Sequence, residues 1–374
     1  MRAFVFTDHA LERQAGRFVW LSVDTEKEKN AGFLDKYPIE AYPTLLVIDP
    51  DTEQVILRWV GSATVPQLEK LFDDGERTLR GKGSGADVVL ASADRLLGAG
   101  KSADAAAAYR DAISKAPAEW PSRDRAVESL LGLLSAPPSA KECVETARAE
   151  LPKERTPHYA NVAMAGLECA MALEGPDKKP AVAEFDARVR SAVGEPRIEM
   201  PADDRAGLYS ALVDARKDAG DEAGAKATAA EWLAFLDGEA ARAASPEARA
   251  VFDSFRLAAS IEAGDPAHAI PILERSEKDL PSDYNPPARL AIAYGEVGRY
   301  DDALAAADRA LKLVYGPRKI RIYSTKAGIL EKKGDREAAK AALAEALTYA
   351  EGLPKAQVSA RGIEAIRTRI AKLG

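Results

Sequence analysis

Few residues in this chain are of types that could do chemistry, and they are scattered. His9, His158 and His268 have no paired ligand spacing, so no metal site is expected. Cys143 and Cys169 are the only cysteines among 374 residues, too few for a disulfide framework, and each is expected to pack as a small buried hydrophobe. Ser102 and Ser282 sit in turn-like contexts without a nucleophile motif. Gly81-Lys82-Gly83-Ser84-Gly85 follows no strand and lacks the spacing of a phosphate-binding loop. No catalytic residue and no cofactor is expected. Lys319, Tyr323 and Lys326 fall at i, i+4 and i+7, so they share a helical face able to receive an acidic peptide; a solvated basic face gives the same pattern.

The charge balance narrows the partners. A formal net charge of −7, with 30% charged residues interspersed along the chain, gives no support for nucleic acid and leaves proteins or peptides as the expected partners. The most apolar long stretch, Tyr159 to Leu173, contains Asn161 and Glu168 and is shorter than the roughly 18 apolar residues a membrane span needs. No transmembrane segment is expected, and the oligomeric state stays open.

Residues 1–75 alternate between helical and strand periods. Thr7 and Asp8 can cap a short helix through Leu11. Arg17 to Asp24 reads as a buried strand, because Phe18, Val19, Trp20, Leu21 and Val23 form a nearly continuous apolar run. Glu26 to Tyr37 reads as a charged helix with Phe33 and Leu34 inward. Strands at Thr44 to Asp49 and Gln54 to Val60 flank a Pro50-Asp51-Thr52 turn, and a helix follows from Thr64 to Phe72.

Val23-Asp24, Tyr37-x-Ile39 leading into Tyr42-Pro43-Thr44, and Gly61 after the last strand resemble the second half of a thioredoxin fold. The resemblance implies a cis peptide before Pro43 and a substrate-pairing role for Tyr42, Pro43 and Thr44; the other reading is a proline that only shapes a turn. It also implies a Cys-x-x-Cys pair and two strands upstream of Met1. One of those strands belongs between Arg17–Asp24 and Thr44–Asp49. Without it the two neighbours stand about 9.6 Å apart, too far for ladder hydrogen bonds. Met1 is therefore expected to be an internal start or a truncation point, the rival being a degenerate domain that closes its sheet another way. As written the chain carries no export signal, which would place it in the cytoplasm; a lost leader would place it in an exported or periplasmic setting.

Residues 76–86, rich in glycine, read as a linker. Beyond them, over 87–374, the chain is Ala-rich and helical, and Gly100, Gly264, Gly298 and Gly334 each precede an alanine by five residues: Ala105, Ala269, Ala303 and Ala339. Gly220 with Ala225 keeps the pattern faintly. Gly264 and Gly298 are 34 residues apart and Gly298 and Gly334 are 36 apart, which resembles the tetratricopeptide repeat. The middle of the array should be irregular. Val358, Ile363, Ile366 and Ile370 mark a terminal capping helix.

The expected fold class is therefore α/β followed by all-α: a partial thioredoxin fold, then a tetratricopeptide-like solenoid. Two functions compete. One is a thioredoxin-like thiol–disulfide exchange protein, inactive as written because its cysteine pair is absent. The other is a non-enzymatic adaptor that binds proteins through its solenoid.

Overall fold

The computed structural model describes residues 5–39, 41–81, 85–117, 119–135 and 138–373. The chain divides into two compact units, one of Met1–Val19 with Ile39–Thr228 and one of Trp20–Pro38 with Ala229–Gly374.

The first described element is a 3-10 helix, His9–Gln14, capped as the sequence implies: the Asp8 carboxylate accepts from the Ala10 N–H. Arg17–Asp24 is not a strand. It has no regular structure, and Val19 and Leu21 are 87% and 80% exposed. The expectation fails for the physical reason already given: among the described residues no strand lies beside it to complete a ladder, so its apolar run cannot be buried on two faces. From Trp20 onward the segment belongs to the second unit, where the expected helix from Glu26 shortens to a 3-10 turn, Glu28–Asn30, and α1, Ala31–Lys36.

In the first unit β1, Thr44–Ile48, pairs antiparallel with β2, Val55–Val60. These two strands are the whole sheet among the described residues, which does not support a partial thioredoxin fold. One side of the ribbon is sealed by α2, Val65–Leu79, through Leu57, Trp59, Leu68, Leu71 and Phe72. Thr64 caps α2 in a reciprocal box with Gln67. The stretch read as a linker is in part helical, for α2 runs to Leu79 and α3, Gly85–Gly98, begins before the expected linker ends.

The rest of the first unit is helical: α4 (Ser102–Lys115), α5 (Arg123–Leu134), α6 (Ala140–Glu150), α7 (Pro157–Met171), α8 (Lys178–Val193) and α9 (Ala202–Asp218). The unit boundary falls within α10, Glu222–Arg242. The second unit continues with α11 (Pro246–Ala250), α12 (Asp253–Ala263), α13 (Ala269–Asp279), α14 (Asn285–Glu296), α15 (Tyr300–Leu313), α16 (Arg318–Lys333), α17 (Arg336–Glu351) and α18 (Ala360–Leu373).

The repeat is visible in the backbone. Gly100, Gly220, Gly264, Gly298 and Gly334 all have positive φ, between 71° and 89°. The residue after each glycine donates its N–H to the carbonyl five residues earlier, at 2.8–2.9 Å: Lys101 to Leu96, Asp221 to Arg216, Asp265 to Ser260, Arg299 to Tyr294 and Asp335 to Leu330. That six-to-one bond with a left-handed glycine ends one helix and turns the chain into the next. The alanine five residues after each glycine is buried, at 2% exposure or less, where only a methyl group lets the paired helices approach. The array is thus built of tetratricopeptide-like helix pairs, among them α3–α4, α14–α15 and α16–α17.

The irregular middle is held differently. Cys143 on α6 and Cys169 on α7 are bonded to each other, with Cα atoms 5.9 Å apart, correcting the expectation of two separate thiols. Both are fully buried, as expected of small hydrophobes, but adjacent helices bring them together across 26 residues of sequence. Next to them the Phe185 ring of α8 lies where a Cβ on Gly166 would stand, within 2.2–2.7 Å, so that glycine permits the α7–α8 contact.

Candidate functional site

Among the described residues two stretches of backbone are gripped by side chains from neighbouring elements. The first is the outer edge of β2. The ladder uses Leu57 and Trp59 toward β1, so the N–H and C=O of Arg58 point the other way. Asp94 on α3 accepts that N–H at 3.2 Å, and Arg125 on α5 donates to that carbonyl at 3.2 Å. The two side chains also pair with each other at 2.6 Å, and the Tyr109 hydroxyl donates to the second Asp94 oxygen at 2.6 Å. Burial and the Asp94 charge raise the Tyr109 pKa, so the phenol keeps its proton. Asp94 and Arg125 therefore replace a third strand on this edge.

Beside this edge lies a cavity of about 280 Å³, lined by Ala41, Arg58, Trp59, Leu97, Arg125 and Glu128 among others. Glu128 is bonded by His158 Nδ1 at 2.6 Å and receives the Asn161 amide at 3.1 Å. For His158, burial works against charge, but the Glu128 hydrogen bond and the charges of Glu128 and Asp124 outweigh it, and its pKa is raised.

Tyr42, Pro43 and Thr44 form the loop next to Ala41. The Tyr42–Pro43 peptide is cis, as the resemblance implies. The Pro43 carbonyl accepts from the Gly61 N–H at 2.8 Å, the Thr44 hydroxyl donates to the Ala41 carbonyl at 2.7 Å, and Tyr42 is exposed. No sulfur chemistry faces this loop from the cysteines of the chain, both of which are committed to the α6–α7 disulfide.

Lys319, Tyr323 and Lys326 do share one stretch of α16, each half-buried. Lys326 pairs with Asp308 of α15 at 2.7 Å, the Lys319 ammonium lies 5.2 Å from the Tyr349 ring of α17, and burial together with the nearby Glu345 carboxylate raises the Tyr323 pKa. This face knits three helices together.

The second grip is in the C-terminal unit and was not foreseen. The segment Asp24-Thr25-Glu26 lies against the loops that start α14, α16 and α18. Asp24 Oδ2 accepts from the Tyr315 hydroxyl at 2.6 Å, Glu26 Oε1 accepts from Arg318 Nε at 2.6 Å, and the Thr25 carbonyl accepts from the Gln357 amide at 2.9 Å. Arg318 also reaches the Tyr284 hydroxyl at 2.6 Å, and Lys27 stands 5.9 Å from the Tyr315 ring. At Gly316, with φ +64°, a Cβ would fall 2.3 Å from the Glu26 carbonyl oxygen; only glycine admits the segment so closely. The segment shapes itself as a turn, with Asp24 Oδ1 accepting the Glu26 N–H and the Asp24 carbonyl accepting both the Lys27 N–H and the Asn30 amide.

The electrostatics match the geometry. Burial raises the Asp24 pKa, but the Tyr315 hydroxyl, the Glu26 amide, Lys27 and Arg318 more than reverse it, and the net shift is downward. Burial works against the Arg318 charge, yet Tyr284 and Glu26 raise its pKa overall. A cation in the first turn of α16 opposes the helix dipole, and Glu26 offsets it. The contacts join residues 291 to 332 positions apart, beyond any periodicity. The one local signal is Gly316-Pro317, a turn with no repeat partner.

Among the described residues no cluster of three or more His, Cys, Asp or Glu side chains is placed to hold a metal ion, and no helix is long and apolar enough to cross a membrane. No family model and no curated protein matches the chain. Similar solved structures include a tetratricopeptide repeat protein from Parabacteroides merdae, at 11% identity, covering 77% of this chain and 100% of that one with a TM-score of 0.47. The TPR2AB-domain:pHSP90-complex of yeast Sti1 is 17% identical over 67% and 99%, TM-score 0.29. The Cut9-Hcn1 hetero-tetramer of the APC/C is 13% identical over 82% and 57%, TM-score 0.36. At TM-scores below 0.5 these likenesses add nothing to the helix-pair geometry described above.

Proposed function

We propose that this chain is a non-enzymatic scaffold whose helix-pair array holds short polypeptide segments. The observation that carries the reading is the grip on Asp24–Glu26, in which Tyr315, Arg318 and Gln357 read two side chains and one main-chain carbonyl of a short turn segment. Such a contact uses main-chain groups for affinity and charged side chains for selectivity, the pattern of peptide recognition in general. Thiol–disulfide exchange is not supported, since it needs an accessible thiolate and both sulfurs are buried and bonded.

Selection of a random-peptide display library on the immobilised chain tests the reading. A scaffold enriches a related set of sequences that binds the chain in solution. A library that yields no enriched sequence contradicts it.

A further inference from the structure

The grip on Asp24–Glu26 is polar, partly exposed and incompletely satisfied. Tyr315 is 48% exposed and the Arg318 side chain 52%, so the contacts compete with water and salt. Glu26 Oε2 and Gln357 Oε1 are both buried acceptors with no hydrogen-bond partner among the described residues. Glu26 therefore uses one carboxylate oxygen of two, and the Gln357 amide donates but does not accept. A segment presenting a main-chain N–H to Gln357 Oε1, and a carboxylate with both oxygens bonded, would fill the same place better. N-terminal to the segment, Val19 and Leu21 are left in solvent, so no apolar anchor among them fastens it.

We propose that the surface made by Tyr284, Tyr315, Arg318 and Gln357 is a recognition site for acidic turn-forming segments of Asp-x-Glu pattern, and that Asp24-Thr25-Glu26 is an intramolecular strap which a partner segment of that chemistry displaces. This rests on the scaffold reading and adds to it the class of partner and the device that regulates access. The occupant is fixed by complementarity. Arg318 and the Tyr315 hydroxyl face the site as donors, the Tyr284 hydroxyl holds Arg318 by accepting from it, Gln357 donates to a main-chain carbonyl, and Gly316 leaves room for backbone and nothing more. The tether gives the strap an effective concentration on the order of millimolar, so a free peptide of equal intrinsic affinity sees a site that is mostly filled. Its apparent affinity falls by the fraction of chains whose site is open.

The test uses the full chain and a fluorescein-labelled peptide of residues 21–30, read by anisotropy, with a control peptide in which the Asp and both Glu are amidated. The expected result is weak binding of the acidic probe to the parent chain, binding about threefold tighter to the Glu26→Gln chain, and a return to weak binding when Arg318→Ala is added. Asp24→Asn should act in the same direction, which keeps the test sound if one variant loses helical circular dichroism. Equal binding of the probe to parent and strap variants overturns the proposal, as does a control peptide that binds as well as the acidic one. If the display library selects peptides while this probe binds no variant, the strap inference fails and the scaffold reading stands. If neither binds, both fail.

Discussion

The outer edge of β2 and the Asp24–Glu26 strap are held by related means: side chains from neighbouring elements, charged groups and an aromatic hydroxyl among them, close on an irregular or edge backbone. At β2 the grip is sunk in the core, with Asp94 fully buried and Arg125 nearly so, and its backbone is also fixed by a β ladder. At the strap the partners stand half in water and the backbone has only its own turn. Burial separates the two. A buried ion pair cannot open without leaving a charge in a low-dielectric interior, whereas an exposed one exchanges with water at little cost. The first contact is structural and the second is exchangeable.

The largest expected effect comes from breaking the buried grip. Asp94→Ala strands the Arg125 charge, the Tyr109 hydroxyl and the Arg58 N–H together, and should cost about 3–5 kcal/mol, seen as a fall of roughly 10 °C in melting temperature. A loss within a few tenths of a kcal/mol would show that this edge is as exchangeable as the strap. Next comes the disulfide that holds the irregular middle of the same unit. Reduction, or Cys143→Ala with Cys169→Ala, reopens a 26-residue loop and should cost about 3–4 kcal/mol by loop entropy. Unchanged denaturation under reductant would refute that.

A smaller, pH-dependent effect sits beside the β2 edge. The pKa of His158 in the folded chain is raised above its ordinary 6.5, so the folded state binds its proton more tightly than the unfolded state does. Its contribution is full below pH 6.5 and is lost as pH rises through the folded value. Stability should therefore decline on going from pH 6 toward 9, and His158→Gln should flatten that part of the profile. A profile that rises with pH and is unaffected by the substitution would contradict the assignment. The smallest stability effect belongs to the strap: Glu26→Gln should change melting by less than about 1 kcal/mol, because its partner Arg318 stays solvated.

What the sequence made legible follows from the range of the physics. Gly264, Gly298 and Gly334 with their alanines could be read because a helix turn and its contact lie within six residues. The pairing of Thr44–Ile48 with Val55–Val60 was legible for the same reason, through the Pro50-Asp51-Thr52 turn. Arg17–Asp24 was misread because apolar residues specify a strand only where neighbours exist to complete the ladder. The Cys143–Cys169 bond, the Asp94–Arg125 grip and the strap depend on packing between distant elements, and no local spacing encodes them.

Amide hydrogen exchange on the parent and Arg318→Ala chains tests the distinction between the two grips most directly. The account predicts that the Glu26, Lys27 and Asn30 amides exchange far faster than those of Val55–Val60 in the parent, and that Arg318→Ala speeds only the strap amides. Strap amides that exchange as slowly as β2, and stay slow in the variant, would contradict it.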